Sequence, residues 1–214
     1  MEKLPSVKMK TYSTIRPEIQ SGDILLCSGN SAFSNMIQHT TKSMWSHVGF
    51  ILRLDIIDRI IVLESVESIG VRAVTLGSYV RDYNGTGKGY PGQIMVARHA
   101  DVKPENIINL SHYATGLLGY PYGTQEILRI MTRISMNNIG LNLTHPDALP
   151  TREFICSEFA YVCFKSIGVE VEYDSLGFIA PADFARSPKV KPVNFIHVEN
   201  EEENYIQPSI VENV

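Results

Sequence analysis

Phe154-Ile155-Cys156-Ser157-Glu158-Phe159 places a cysteine where a helix opens, and Trp45-Ser46-His47-Val48-Gly49-Phe50 places a histidine on a strand far upstream. At a helix start, unpaired backbone N–H groups and the helix dipole favour a thiolate over a thiol. An imidazole brought against that sulfur could act as the base that activates it. The two residues are 109 positions apart, so only the fold can join them. Positions 156, 159, 160, 163, 164 and 167 share one apolar face, which predicts a helix over 155–167 stopped by Gly168. A small buried hydrophobe would explain Cys156 as well. Its first-turn position separates it from Cys163, which falls mid-helix where no N–H groups are free. Cys163 and Cys27 are assigned to packing.

On the strand around His47, alternation puts His47, Gly49 and Ile51 on one face and Val48, Phe50 and Leu52 on the other. Gly49 is read as leaving room beside the imidazole for a substrate. Taken alone, His47 is better explained by a core histidine held on a backbone carbonyl. The following strand, Ile60-Ile61-Val62-Leu63-Glu64-Ser65, carries an ionisable group on the face of Ile60 and Val62. A carboxylate there needs a partner, because burying it unpaired is costly. A hairpin would bring Glu64 to His47, where it could orient the imidazole. The competing reading leaves Glu64 at an exposed strand end.

The rest of the chain reads as short strands and helices. Strands are expected at 24–27, 46–54, 60–66, 71–75, 93–98 and 191–198, and helices at 31–40, 104–118, 124–134 and 181–185. The loop Asn84-Gly85-Thr86-Gly87-Lys88-Gly89 lacks the Ser or Thr after lysine that a phosphate-binding loop needs. Residues 135–150 are rich in turn formers and suggest either a lid or a plain connector. Residues 1–20 are polar and read as an N-terminal extension that is only partly ordered. Residues 21–198 form a single domain, and 199–214 an acidic tail.

Charge and composition exclude several classes. The net charge is −4 over 214 residues. The tail carries five glutamates and no Lys or Arg, so removing its −5 from −4 leaves residues 1–198 at +1. No basic footprint argues for nucleic acid. Three cysteines make no paired framework, and no apolar stretch is long enough for a signal core or a stable membrane insertion, so a reducing, cytoplasmic setting is the default expectation. Cys156 and Cys163 stand roughly 10 Å apart along a regular helix, too far to share a tetrahedral ion. No serine sits in a Gly-x-Ser-x-Gly setting. No metal and no cofactor are expected.

At these residues the chain resembles the circularly permuted branch of the NlpC-type papain-like cysteine peptidases and amidases, the YiiX-like group. The resemblance covers about residues 21–187. It rests on Gly22-Asp23-Ile24-Leu25, Trp45-Ser46-His47-Val48-Gly49, Glu64, Ile155-Cys156-Ser157-Glu158 and Pro181-Ala182-Asp183-Phe184. The order of histidine before cysteine is the reverse of papain-like enzymes that are not permuted. Lecithin:retinol-acyltransferase-like proteins share that order as more distant relatives. The resemblance implies an α+β papain-like fold with a small antiparallel sheet packed against the nucleophile helix. It also implies the roles of nucleophile, base and orienting acid for Cys156, His47 and Glu64. Relatives of this type place a tyrosine before the nucleophile near the oxyanion site. Tyr122 in Gly119-Tyr120-Pro121-Tyr122-Gly123 is the candidate, although 34 positions separate it from Cys156 and a turn aromatic packed on Pro121 explains it equally.

The expected activity is hydrolysis of an amide or ester bond in a small peptide, an amino-acid amide or an acyl-lipid. An acyl-lipid reading predicts lipid binding, with an apolar wall over 139–149. The alternatives are an acyltransferase of the lecithin:retinol type and a non-catalytic ligand- or lipid-binding module of the same fold.

Overall fold

A sheet of seven strands forms the centre of the molecule in the computed structural model, which describes residues 9–124, 153–173 and 178–198. In chain order the elements are β1 (Met9–Thr11), α1 (Tyr12–Ile15), β2 (Ile24–Gly29), α2 (Ala32–Thr41), β3 (His47–Leu54), β4 (Arg59–Val66), β5 (Gly70–Thr75), α3 (Leu76–Arg81), β6 (Gly92–His99), α4 (Ile107–Thr115), α5 (Cys156–Lys165), α6 (Pro181–Arg186) and β7 (Val190–His197). The sheet order is β1-β7-β6-β2-β3-β4-β5. Every pair is antiparallel except β1 with β7. This is an α+β, papain-like arrangement. The sheet is larger than expected, because residues 9–11 add a parallel edge strand. Ile15 and Ile19, also in the segment read as partly ordered, are fully buried.

The alternating strand pattern divides the core. Leu26, Val48, Phe50 and Leu63 face one side, where Phe159, Ala160, Cys163 and Phe164 of α5 pack on them. Phe50 stacks on Phe159 at 5.8 Å and meets Phe164 edge-on at 5.6 Å. Burying each of these rings contributes about 2–3 kcal/mol. Leu25, Ile51, Ile60 and Val62 face the other side, against Tyr12, Ile15, Leu76 and Tyr79. The helix carrying Cys156 is therefore fixed to the strand carrying His47 by an apolar seam unrelated to chemistry.

Three quoted motifs turn out to hold the frame. Asp23 takes Arg98 Nε and Nη2 at 2.6 and 2.9 Å, which ties the start of β2 to β6. Asp183 Oδ2 accepts from the Ala180 N–H at 2.7 Å at the start of α6. Trp45 is buried and stacks on Phe195 at 6.1 Å. Ser46 closes the entry to β3, its N–H donating to the Cys27 carbonyl and its Oγ accepting from the Gly29 N–H. No helix of the described residues is long and apolar enough to cross a membrane. The expected helix at 124–134, the lid or connector at 135–150 and the apolar wall at 139–149 fall almost entirely outside the described residues, which stop at 124 and resume at 153.

Candidate active site

Cys156 is the first residue of α5 and His47 the first of β3. They meet where helix start and strand start coincide, and both side chains line one cavity. Strand alternation had set His47 on the face away from α5; its place at the strand's first position lets it reach the helix terminus. Phe159 N–H donates to the Ile155 carbonyl at 3.0 Å, closing the first turn. The earlier N–H groups, including that of Cys156, have no intrahelical acceptor. Glu158 Oε2 accepts from the Ile155 N–H at 3.2 Å and fixes the backbone just before the cysteine.

Glu64 lies on β4, is fully buried, and puts Oε2 2.6 Å from His47 Nε2. With Nε2 committed to Glu64, Nδ1 is the ring nitrogen left for Cys156. The exposed-strand-end reading of Glu64 is thereby corrected. So is the reading of Gly49: a Cβ there would lie 2.9 Å from the Leu63 carbonyl, 3.1 Å from Val62 Cγ1 and 3.2 Å from Glu64 Cβ. The space at Gly49 lets β4 and the Glu64 stem approach; it holds protein and leaves none for substrate.

Two residues absent from the sequence reading complete the carboxylate's surroundings. Arg72 on β5 brings Nε and Nη2 to 2.9 Å from Glu64 Oε1. The Tyr79 hydroxyl on α3 donates to Oε2. Burial would raise the Glu64 pKa, but the His47 hydrogen bond and charge, Arg72 and Tyr79 overcome it and hold the pKa below the ordinary value. Burial likewise pulls His47 down. The hydrogen bonds and negative charges of Cys156 and Glu64 outweigh it and push the imidazole up to about 10. Burial and the Glu64 charge raise Tyr79 well above its usual range, so it remains a donor. Cys27, paired with His47 in the β2–β3 register, is also pushed up, by burial first and then by Glu64 and Cys156.

Tyr122 reaches the site despite its distance in sequence. Phe154 N–H donates to the Pro121 carbonyl at 3.1 Å, and Gly123 N–H to the Phe154 carbonyl at 3.3 Å. Ser65 Oγ also donates to the Phe154 carbonyl, at 2.6 Å, tying β4 to the same strip. These bonds set Tyr122 and Cys156 into the walls of the same two cavities. Among the described residues, no group of three or more His, Cys, Asp or Glu side chains is placed to hold a metal ion.

The model of the permuted papain-like amidase family YaeF/YiiX, C92, matches residues 18–128, just over half of the chain. The protein belongs to that family, and its class is that of papain-like cysteine peptidases and amidases, which are hydrolases. The matched span contains His47, Glu64 and Tyr122 and stops short of Cys156. A solved structure with a similar fold is that of metalloprotein yiiX from Escherichia coli O157:H7 (DUF1105). It aligns with a TM-score of 0.57 and 17% identity, over 81% of this chain and 96% of that one. No curated protein matches the sequence.

Proposed function

We propose that this domain cleaves an amide or ester bond through a Cys156–His47–Glu64 triad and a thioester acyl-enzyme. The single observation carrying the reading is His47, set beside Cys156 in the wall of one cavity and joined through Nε2 to a fully buried Glu64 whose pKa is held below its ordinary value. Cys156 Sγ attacks the carbonyl carbon, and the electron pair of the C=O bond moves to oxygen. The Cys156 N–H at the start of α5, with Tyr122, holds that oxyanion. When the oxyanion collapses, the C–N or C–O bond breaks, and His47 gives its proton to the departing amine or alcohol. Water then enters, loses a proton to His47 and releases the acid, restoring thiolate and imidazolium. Glu64 keeps the imidazole oriented throughout and stabilises its cation.

The substrate is a peptide, an amino-acid amide or an acyl-lipid. Mass spectrometry of protein quenched during turnover of simple amides and esters tests the reading. It predicts a mass increase equal to the acyl group on Cys156, absent in Cys156→Ala and accumulating in His47→Ala only if acylation survives. An acyl adduct on a different residue, or turnover undiminished in Cys156→Ala, would overturn it.

A further inference from the structure

Ser65 follows Glu64 on β4, and alternation turns it to the face of Leu63, on which α5 packs. It is fully buried and stands in the wall of the cavity that holds His47, Cys156 and Tyr122. Its Oγ donates to the Phe154 carbonyl at 2.6 Å, the same oxygen that accepts from the Gly123 N–H at 3.3 Å. The N–H of that peptide group belongs to Ile155 and donates to Glu158 Oε2 at 3.2 Å. Both ends of the 154–155 peptide are therefore held, and it cannot rotate without breaking three hydrogen bonds. Val71, opposite Ser65 across the β4–β5 ladder, grips the neighbouring strip by its backbone. Its N–H donates to the Tyr120 carbonyl at 2.8 Å, and its carbonyl accepts from the Gly119 N–H at 3.0 Å. Gly70 makes that approach possible, since a Cβ there would run into the Tyr120 carbonyl. Three site residues lie one or two positions from this junction: Glu64 precedes Ser65, Tyr122 precedes Gly123, and Cys156 follows Phe154 by two.

From this junction we infer that Ser65 is a positioning residue for the oxyanion site, holding Tyr122 and the Cys156 N–H in register with the Glu64–His47 pair through the Phe154 carbonyl. The inference rests on the triad proposed above and deepens it. The nucleophile and both oxyanion donors sit on the two strips that Phe154 joins, whereas the base and its acid sit on β3 and β4. The Ser65 hydroxyl links β4 to those strips. Oxyanion stabilisation depends steeply on placement, because the donors must meet an oxygen position reached only as the carbonyl is attacked. A thiolate is less demanding and needs only a cation and a helix start beside it. Losing the Ser65 hydroxyl therefore spares the thiolate and impairs the step that builds an oxyanion.

Two reagents read these properties separately on the full chain. Iodoacetamide alkylates Cys156 by displacing iodide at a saturated carbon and forms no oxyanion. Nitrophenyl acetate acetylates it through one: the C–S bond forms, the ester C–O bond breaks, and nitrophenolate leaves without a proton from His47. Both rates are followed at Cys156 by mass spectrometry. In Ser65→Ala, alkylation should stay within about twofold of wild type with an unmoved pH profile, while acetylation falls on the order of tenfold. Ser65→Cys keeps the volume and weakens the donor, and it should split the two rates in the same way. In both variants the Gly123 N–H still serves the Phe154 carbonyl. Tyr122→Phe should also slow acetylation, and adding Ser65→Ala to it should cost less than about threefold more, because both act on one oxyanion. Acetylation undiminished in both Ser65 variants, the two rates falling together in both, or the full tenfold loss repeated beside Tyr122→Phe would overturn the inference and leave the triad standing. Wild-type Cys156 that takes no acetyl group, or that iodoacetamide alkylates no faster than Cys27 and Cys163, would overturn the triad and this inference together.

Discussion

Arg72 stands directly opposite Glu64 across the β4–β5 ladder and aims Nε and Nη2 at the same carboxylate oxygen, both at 2.9 Å. Oε1 is thereby occupied, Oε2 is shared between His47 and Tyr79, and the buried carboxylate is held from three sides. The charge that stabilises the His47 cation is thus itself stabilised by a cation on the neighbouring strand.

Glu64→Gln keeps the shape and removes the charge. Activity on any amide or ester substrate should fall on the order of 100-fold. Because Glu64 helps to raise His47, the alkaline limb of the kcat/KM profile, where the imidazolium loses its proton, should move to lower pH. Loss of activity with an unmoved limb would show that Glu64 acts on the fold alone.

Arg72→Met leaves Glu64 Oε1 buried without its partner. The expected cost is about 2 kcal/mol, read as a lower urea midpoint at pH 7, and Arg72→Lys should recover part of it. A midpoint unchanged in Arg72→Met would mean that the ion pair contributes nothing net.

Tyr79→Phe removes one donor and keeps the ring among Tyr83 and Tyr90, whose centroids lie 5.0 and 5.6 Å away. Stability should fall by about 1 kcal/mol. The alkaline limb should move upward, since Oε2 is then left to His47 alone. A limb that stays in place would assign the hydroxyl a packing role only.

The β4–β5 hairpin shows how much of this site was legible. Strand alternation and the helix start at Cys156 are local signals, and they singled out three residues that the fold brings together, although alternation alone set His47 on the face away from α5. The Arg72 contact was also within reach: Val66 pairs with Gly70 around Ser68, so the same hairpin sets 64 against 72. The available signal was a basic residue interrupting one strand opposite an acidic residue interrupting the other. Tyr79 gave no such signal, because α3 must fold back across the sheet to deliver it. Tyr122 was placed by resemblance, and its approach depends on two backbone bonds to Phe154 that no spacing rule predicts. β1 is only three residues long, too short for alternation to stand out.

His99 supplies a prediction about acid stability. It is 1% exposed, its Nδ1 accepts from the Asp101 N–H at 3.1 Å, and its buried Nε2 has no partner among the described residues. Burial lowers its pKa, with Asp101 acting upward and Lys189 downward. The unfolded imidazole, near 6.5, therefore binds protons more readily than the folded one, and stability must fall as pH drops below about 6.5. Urea midpoints compared between pH 7.5 and pH 5 should show a smaller drop in His99→Gln than in wild type. Equal drops would assign the acid sensitivity elsewhere.

The most direct test of the central claim is the pH dependence of iodoacetamide alkylation at each cysteine, in wild type and His47→Ala. The account predicts that Cys156 reacts rapidly well below pH ~8.5, the ordinary free-thiol value, that Cys27 and Cys163 do not, and that His47→Ala abolishes the difference. Alkylation at Cys156 that matches the other two and ignores His47 would contradict it.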